Sequence, residues 1–462
     1  MKDLKEVIVL LLLSITLLCS LQEASGGLED VGNWLISREK SYISEESVGK
    51  TAVTVYTLLR LYNYTGRKEF LSPAIEGISW LRGQRIPHRE GNRIFRVWGE
   101  YISGSERRPE EDLTAIVIIT LRESLNYVKD ENYKKNIMKD IKNAGSWLIR
   151  QTWTNSTVWK VYVPQTCYMM EALMYYSDLQ LDEREQAMDS LIDAGDWLIS
   201  IQNEEGYWGK GDEEQPLIIR YLETYYASNA LIELYRRTGD QRFIKSASRG
   251  VEWLSSKAKI GDLLTKSLAA IVMSKLYEET GKHEDFLETL EEVKLLLERG
   301  YISDEESRLL YTRFAVTAIS LSPKIEIKKF VSKSKAWVGE TLEVRIEISN
   351  SGGTSLIGKI VDVPYEGGEE EVFTIRVGKG EKKSVIYSFR PKMPGVIRIP
   401  PPEFKCCGRR FVGNTSTTEI VVEDRKRAYM FLLALTLILV LLPYLLARAS
   451  VMKGGNELVH SV

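Results

Sequence analysis

Histidine and cysteine are the scarcest reactive residues in this 462-residue chain, with three and four copies. His88, His283 and His460 stand far apart and have no second plausible ligand near them in sequence, so a histidine-based metal site is not expected. Cys19 lies in a leading apolar run. Cys167, Cys406 and Cys407 are too few for a disulfide framework, and no CxxC spacing suggests zinc. No charge of one sign dominates: 62 Lys and Arg stand against 64 Asp and Glu, giving a net charge of -2. There is neither the basic field that nucleic acid requires nor an acidic tail. No cofactor, metal or nucleic-acid partner is therefore expected.

The content is globular, 44% hydrophobic and 27% charged, and the length suits two sizeable cores. Two apolar runs bear on location. Val7 to Leu21 follows a short charged start and precedes Ala24-Ser25-Gly26, which reads as a secretory signal peptide over 1–26. Asp3 and Glu6 dilute its n-region, so an uncleaved anchor is the competing reading. Ala428 to Ala447 is uncharged and has the ~20 residues that span a bilayer. Three sequons, at Asn63, Asn155 and Asn414, are glycosylation candidates and fit exposure outside the cytoplasm. Arg425-Lys426-Arg427 before the span opposes that orientation. An N-terminal signal commits the chain first, so the expectation is a single-pass cell-membrane protein with an extracytoplasmic ectodomain.

Between about 28 and 322 a phrase repeats: Gly32-Asn33-Trp34-Leu35, Gly77-Ile78-Ser79-Trp80-Leu81, Gly145-Ser146-Trp147-Leu148, Gly195-Asp196-Trp197-Leu198 and Gly250-Val251-Glu252-Trp253-Leu254. A second phrase, Leu-Tyr-x-x-Thr-Gly, ends helices at Gly66, Gly239 and Gly281, where glycine supplies a left-handed cap. Helices ending in Trp-Leu carry one charged face and form an outer layer. The apolar, small-residue stretches Thr51–Tyr62, Leu113–Leu125, Thr166–Tyr176, Tyr221–Tyr235, Leu263–Tyr277 and Leu310–Leu321 form an inner one. Six of each, without polar capping repeats, predict a closed (α/α)6 toroid.

Gly195 to Trp208, with Gln202 between, resembles the QW motif of the squalene cyclase and prenyltransferase repeat superfamily. Gly145 to Gln151 with Trp159 is a looser copy. The resemblance implies a structural role, with the Gln capping a helix start and stacking on the Trp. The Asp-x-Asp-Asp motif of the cyclases is absent, and so are the histidines of a prenyltransferase zinc site. Similar toroids occur in six-hairpin glycosidases and polysaccharide lyases.

From about 323 the period changes to two. Glu343–Ile348, Val372–Val377, Ser384–Phe389 and Thr418–Val422 alternate between Asn/Gly/Pro turns, as in an immunoglobulin-like sandwich. The expected organisation is a multidomain chain: signal peptide 1–26, toroid of six hairpins 27–322, immunoglobulin-like β-sandwich 323–424, transmembrane helix 425–447 and cytoplasmic tail 448–462. Cys406 and Cys407 are expected to be dispensable for folding.

Function is weighed at one mouth of the ring. Glu45-Glu46, Glu110-Glu111-Asp112, Asp212-Glu213-Glu214 and Glu305-Glu306 precede or begin inner helices. They serve either as acid and base toward a sugar or simply as N-terminal dipole partners. Arg96, Trp98, Glu100 and Tyr101 on one loop, with Tyr207, Trp208, Arg220 and Glu223 from another repeat, are the ligand-binding candidates. On this reading Trp98 is free of packing, whereas Trp197 is a buried core residue. The leading expectation is a surface binding or assembly protein whose ligand is a glycan, a peptide or another surface protein. The alternative is a carbohydrate-active enzyme of lyase, hydrolase or epimerase type working with mouth carboxylates. Paired carboxylates in a deep cleft would favour the enzyme, and a plugged mouth would favour binding.

Overall fold

The computed structural model describes residues 27–103, 106–154, 162–179, 183–210, 215–300 and 305–456. The signal segment, the sequon at Asn155, Trp159 and Asp212-Glu213-Glu214 lie outside them. The chain divides into two units, one reaching Pro323 and including Gly352–Thr354, the other made of Lys324–Ser351 and the residues from Ser355 onward.

Among the described residues, twelve helices of the first unit alternate between two layers. The outer layer holds α1 (27–44), α3 (Lys68–Gly83), α5 (Glu131–Thr154), α7 (Arg184–Ser200), α9 (Gln241–Ala258) and α11 (Phe286–Glu298). The inner layer holds α2 (Val48–Thr65), α4 (Glu111–Ser124), α6 (Val163–Asp178), α8 (Leu217–Thr238), α10 (Leu263–Thr280) and α12 (Glu305–Ser320). Each inner helix packs on the next, and α12 packs on α2, so the ring is closed.

The repeated phrases have direct physical roles. Gly66, Gly239 and Gly281 sit at φ 71°, 71° and 70°, and their N–H groups donate to the carbonyls of Tyr62, Tyr235 and Tyr277. The threonine before each glycine donates its hydroxyl to the carbonyl of Leu61, Leu234 or Leu276. The same hydroxyl accepts the N–H of Arg67, Asp240 or Lys282. One side chain thus closes the inner helix and orients the first residues of the outer one. The glycine of the Trp-Leu phrase answers a packing need. A Cβ on Gly145 would lie 2.2 Å from the Tyr176 ring, and one on Gly32 2.1 Å from Phe70.

Two short ribbons interrupt the pattern after α3: the hairpin β1 (Ile86–Glu90) with β2 (Arg93–Val97), and β3 (Tyr101–Ser103) with β4 (Glu106–Arg107). The first turns at Gly91, φ 56°. It docks on α5 through Glu90, whose carboxylate accepts from Trp147 Nε1 at 2.9 Å and Gln151 Nε2 at 2.7 Å.

The second unit is an immunoglobulin-like β-domain. Its strands are β5 (Ile325–Val331), β6 (Lys335–Trp337), β7 (Leu342–Asn350), β8 (Leu356–Asp362), β9 (Glu371–Val377), β10 (Lys382–Phe389), β11 (Gly395–Arg398), β12 (Glu403–Cys406), β13 (Arg409–Val412), β14 (Asn414–Thr415) and β15 (Glu419–Glu423). They form sheets ordered β10-β7-β5-β14, β13-β12-β8-β9 and β11-β15-β6. β7 sets the core, burying Leu342, Val344, Ile346 and Ile348 on one face. Cys407 and Gly408 form the two-residue turn between β12 and β13, both with positive φ (50° and 68°). From Arg425 to Asn456 runs α13, whose Tyr429–Leu446 window is long and apolar enough to cross a membrane.

A buried ion pair joins two of the sheets. Lys329 on β5 and Asp362 on β8 are both fully buried, with Nζ 2.9 Å from the carboxylate. Lys329 also donates to the carbonyls of Val363 at 2.8 Å and Pro400 at 3.3 Å, and Tyr387 OH donates to Asp362. Burial pushes the Lys329 ammonium below the ordinary lysine range, and Asp362 opposes that shift. Lys329→Met alone strands Asp362 and is expected to remove about 3–5 kcal/mol from the β-domain. Combining it with Asp362→Leu should restore most of that in urea unfolding. A single substitution as mild as the double one would refute this account.

Candidate functional site

Two tryptophans fix the loops that lead from outer to inner helices. Trp208 Nε1 donates to Leu198 O at 2.7 Å, and its backbone N–H donates to Thr224 Oγ1 at 3.1 Å. Trp98 does the same: Nε1 to Leu81 O at 2.7 Å, and N–H to Thr114 Oγ1 at 3.0 Å. Leu81 and Leu198 are the leucines of the repeated Trp-Leu phrase, and Thr114 and Thr224 lie in the inner helices that follow. Each indole therefore bridges the end of one outer helix to the start of the next inner one. Both rings are fully buried.

This corrects the expectation that Trp98 is free of packing, and for Trp208 it bears out the packing role that the QW resemblance implies and not the ligand-binding candidacy; neither ring is available to a ligand. The reason is geometric. The indole of Trp208 bonds a residue 10 positions back, that of Trp98 one 17 back, because the β1–β2 hairpin is inserted between. The insertion disguises Trp98 as a loop residue. The roles of Trp98 and Trp197 are reversed, since Trp197 is half-buried on the outer layer. Gln202 also departs from the expected helix-start cap. It donates to Gly206 O at 2.7 Å and Ser246 O at 3.0 Å, and accepts from Ser246 Oγ at 2.8 Å, tying its loop to the middle of the first half of α9.

The remaining candidates fall into two groups, on repeats whose inner helices α4 and α8 are separated by α6. In the first, Arg96 has an exposed side chain and its backbone N–H meets Asn143. Glu100 accepts from Gly49 N at 3.2 Å. Tyr101 contributes backbone to β3, and its side chain lies outside the described residues. Burial, and then Asp112, Glu100 and Glu111, push the Glu110 carboxyl up. In the second, Tyr207, Arg220 and Glu223 do meet. The Arg220 guanidinium lies 5.6 Å over Tyr207, and Tyr207 stacks 5.0 Å from Trp253. Glu223 accepts from Gln215 Nε2 at 3.1 Å, and burial raises its pKa against that bond. Exposed Tyr162 stands beside it, its phenol pushed up by burial and by the Glu223 charge.

The axis of the ring carries a larger cluster that sequence reading missed. Tyr56/Arg60, Glu171/Tyr175, Tyr225/Asn229, Ile271/Lys275 and Arg313/Thr317 occur four residues apart on five inner helices and line one cavity of about 60 Å³. Arg313 Nη1 donates to Tyr168 OH at 2.9 Å, and its guanidinium lies 5.7 Å over Tyr56 and 5.3 Å over Phe314. Arg60 pairs with Glu123 at 3.4 Å. Lys275 donates to Asn229 at 2.7 Å and Glu233 at 2.9 Å. Burial raises the phenols of Tyr56, Tyr175, Tyr225 and Tyr226, so they stay protonated at neutral pH. At the lower end, Arg236 bonds Glu233, Glu278 and Glu279 at 2.9, 2.8 and 2.7 Å. Burial would raise Glu233, but Lys275 and Arg236 hold it down at about 2. The signal available in sequence was the four-residue spacing of Tyr, Arg and Glu within stretches otherwise read as apolar.

Comparison with known proteins gives the following.

Residues 329–423 match the BatD DUF11-like domain family.

No curated protein matches the chain. Among solved structures, the CARDB domain of a Pyrococcus furiosus protein is 19% identical, covers 22% of this chain and 93% of its own, with a TM-score of 0.19. Escherichia coli alpha-2-macroglobulin is 12% identical over 81% of this chain, with a TM-score of 0.35, and this chain spans 41% of it. An unsaturated glucuronyl hydrolase specific for heparin is 10% identical over 64% of this chain and 95% of its own, with a TM-score of 0.45. The toroid assignment rests on the closed double layer described above.

Two tests follow from this geometry. Trp98→Ala and Trp208→Ala should each destabilise the ring by about 3–5 kcal/mol, and Trp197→Ala by clearly less. Equal melting shifts for all three would remove the bridging role. The second test concerns Glu39, a buried carboxyl packed under Gly77, with one oxygen lacking a hydrogen-bond partner. Burial and Glu76 push it up to about 7. A raised folded-state pKa means stability is intact below the unfolded value near 4.5 and is lost as pH climbs through about 7. Glu39→Gln should therefore raise Tm at mildly alkaline pH and leave it unchanged in acid. A pH-independent difference would contradict this.

Proposed function

We propose that this chain is a membrane-anchored surface protein whose toroid binds a partner or organises an assembly outside the cytoplasm, with α13 as its single-pass anchor. The observation that carries this reading is the filled axis. Among the described residues, tyrosine, arginine and lysine side chains interlock along it around a cavity of about 60 Å³, space for a few waters and not for a sugar ring. The two most prominent mouth aromatics, Trp98 and Trp208, are consumed in packing. Kinship with the squalene cyclase and prenyltransferase repeats is part of the proposal and is carried by the Gln202-to-Trp208 segment. Glycosylation at Asn63 and Asn414, both exposed, belongs to it as well.

One observation favours the second reading, a carbohydrate-active enzyme. Glu223 is a buried carboxyl with a raised pKa beside an exposed tyrosine, the environment of a general acid.

The experiment joins topology to chemistry. On intact cells, added protease should remove nearly everything before Ala428. The purified ectodomain should release no product from uronic-acid-containing glycans or mannans, and should give saturable binding in a glycan and peptide screen. Turnover that disappears in Glu223→Gln would replace the binding reading with the enzymatic one. Full protection of the ectodomain would reverse the orientation.

A further inference from the structure

Three segments converge where the β-domain meets α13. β15 ends at Glu423 and α13 begins at Arg425. β6 runs parallel to β15 with Trp337 opposite Glu423, so the turn that follows, Val338 to Glu340, extends to the level of Asp424 and Arg425. Val338 N–H donates to Glu423 O at 2.9 Å, and the Arg425 guanidinium lies 5.6 Å over the Trp337 ring. β11 runs the other way and starts at Gly395 opposite Val422, so the loop before it projects past the sheet at the same end. Gly339 N–H donates to Pro391 O at 2.9 Å and joins the two tips.

The surface of this end combines apolar and basic groups. Met393 is 75% exposed and Val396 61%, and Trp337 is half-buried at the same end of the sheet. Arg390, Lys392, Arg425 and Lys426 are exposed around the tips. Of the nearby carboxylates, Glu340 is held by Lys333 at 2.6 Å and by Trp337 N–H at 2.9 Å. Asp424 accepts from Lys426 N–H at 2.9 Å, and Glu423 faces solvent. The basic groups are in surplus.

Height decides what this surface meets. The apolar window begins at Tyr429, four residues after Arg425. At ~1.5 Å per helical residue, Arg425 stands about 6 Å above it. The headgroup layer on each side of a bilayer is about 5–7 Å deep. The tips at 338–340 and 392–394, level with Arg425, therefore stand inside that layer.

The geometry points to a lipid-binding face: Met393 and Val338 enter the headgroup region, Trp337 sits at its edge, and Arg390, Lys392, Arg425 and Lys426 engage anionic lipid phosphates. The assignment rests on α13 being a membrane anchor. It gives Arg425-Lys426-Arg427 a function on the domain side of the membrane, where the positive-inside rule gives them none.

The test uses the full chain in nanodiscs of phosphatidylcholine, with and without phosphatidylglycerol. A nitroxide is placed at Met393→Cys in a Cys407→Asn background, Cys167 and Cys406 being buried. Lys379→Cys, in the turn at the other end of β10, is the control. The label at 393 should relax more with lipid-dissolved oxygen than with a water-soluble nickel chelate, and the label at 379 the reverse. The contrast should grow with phosphatidylglycerol and shrink in the double variant Arg390→Glu, Lys392→Glu. Equal chelate access at 393 and 379 overturns the face, and a contrast insensitive to lipid charge overturns the headgroup assignment. Alkaline carbonate extraction is run in parallel. A chain that washes off membranes refutes the anchor itself, and one that stays bound with a water-exposed 393 refutes only the lipid face.

Discussion

In a closed ring of hairpins, every outer helix must be followed by an inner helix at a fixed rotation, and the loop between them has to transmit that rotation. Here an indole does so. Its ring N–H donates to the carbonyl of the Trp-Leu leucine in the last turn of the outer helix, while its backbone pairs with a threonine hydroxyl one to two turns into the next helix. At the opposite face the turn is made by Thr-Gly, with a side-chain hydroxyl playing the equivalent part. Among the described residues the indole serves the α3–α4 and α7–α8 connections, and the Thr-Gly turn serves α2–α3, α8–α9 and α10–α11. Loops can then change length without disturbing the helices, which is how the β1–β2 hairpin is accommodated beside Trp98.

Closure has a consequence at the axis. Inner helices in a six-membered ring cannot all touch across the centre with aliphatic side chains of ordinary length, so the centre must be filled by long or large residues or left open. This chain fills it with tyrosine and arginine. Long polar side chains desolvated together demand mutual pairing, and the pairs observed run between different helices: Arg60 with Glu123, Lys275 with Glu233, Arg236 with Glu278, Arg313 with Tyr168. A centre committed in this way is poor ground for a substrate cleft. What reactive potential remains is displaced to the rim, where Glu223 and Tyr162 stand.

The helix count, the two layers and the change of period near 323 were legible because each has a repeating physical cause: a left-handed cap, a close helix approach, a two-residue strand period. The strands β6 and β11–β14 were less so, since two to four residues leave little pattern, and β8 ends in three consecutive buried residues that break the alternation. The Gly91-Asn92 turn between alternating residues was a hairpin signal passed over in favour of an aromatic loop. Site reasoning failed at Trp98 for the same reason. Burial was inferred from distance along the chain to the Trp-Leu phrase, and an insertion falsified that distance. Tyr207, on a loop with no hairpin inserted, does lie near Arg220 and Glu223 of the helix that follows, through local contacts. The axial cluster escaped because a helix buried on all sides shows no amphipathic contrast, so its polar residues read as exceptions and not as a second face.

Both units place a cation between packed elements, Lys329 between two sheets and Arg236 between two inner helices. Hydrophobic contact is tolerant of small slides and rotations, whereas an ion with several partners is not. Lys329 reaches one carboxylate and two carbonyls from segments on the far side of the sandwich, so a shift of β5 by one residue would turn Lys329 to the opposite face and break all three bonds. Arg236 joins α8 to two successive carboxylates of α10, which only one rotation of those helices permits. In each case the ion selects one arrangement among several that apolar packing would accept. The sandwich needs a single register because its last strand hands the chain to α13. The ring needs a single rotation because closure of α12 on α2 leaves no free end to absorb an error.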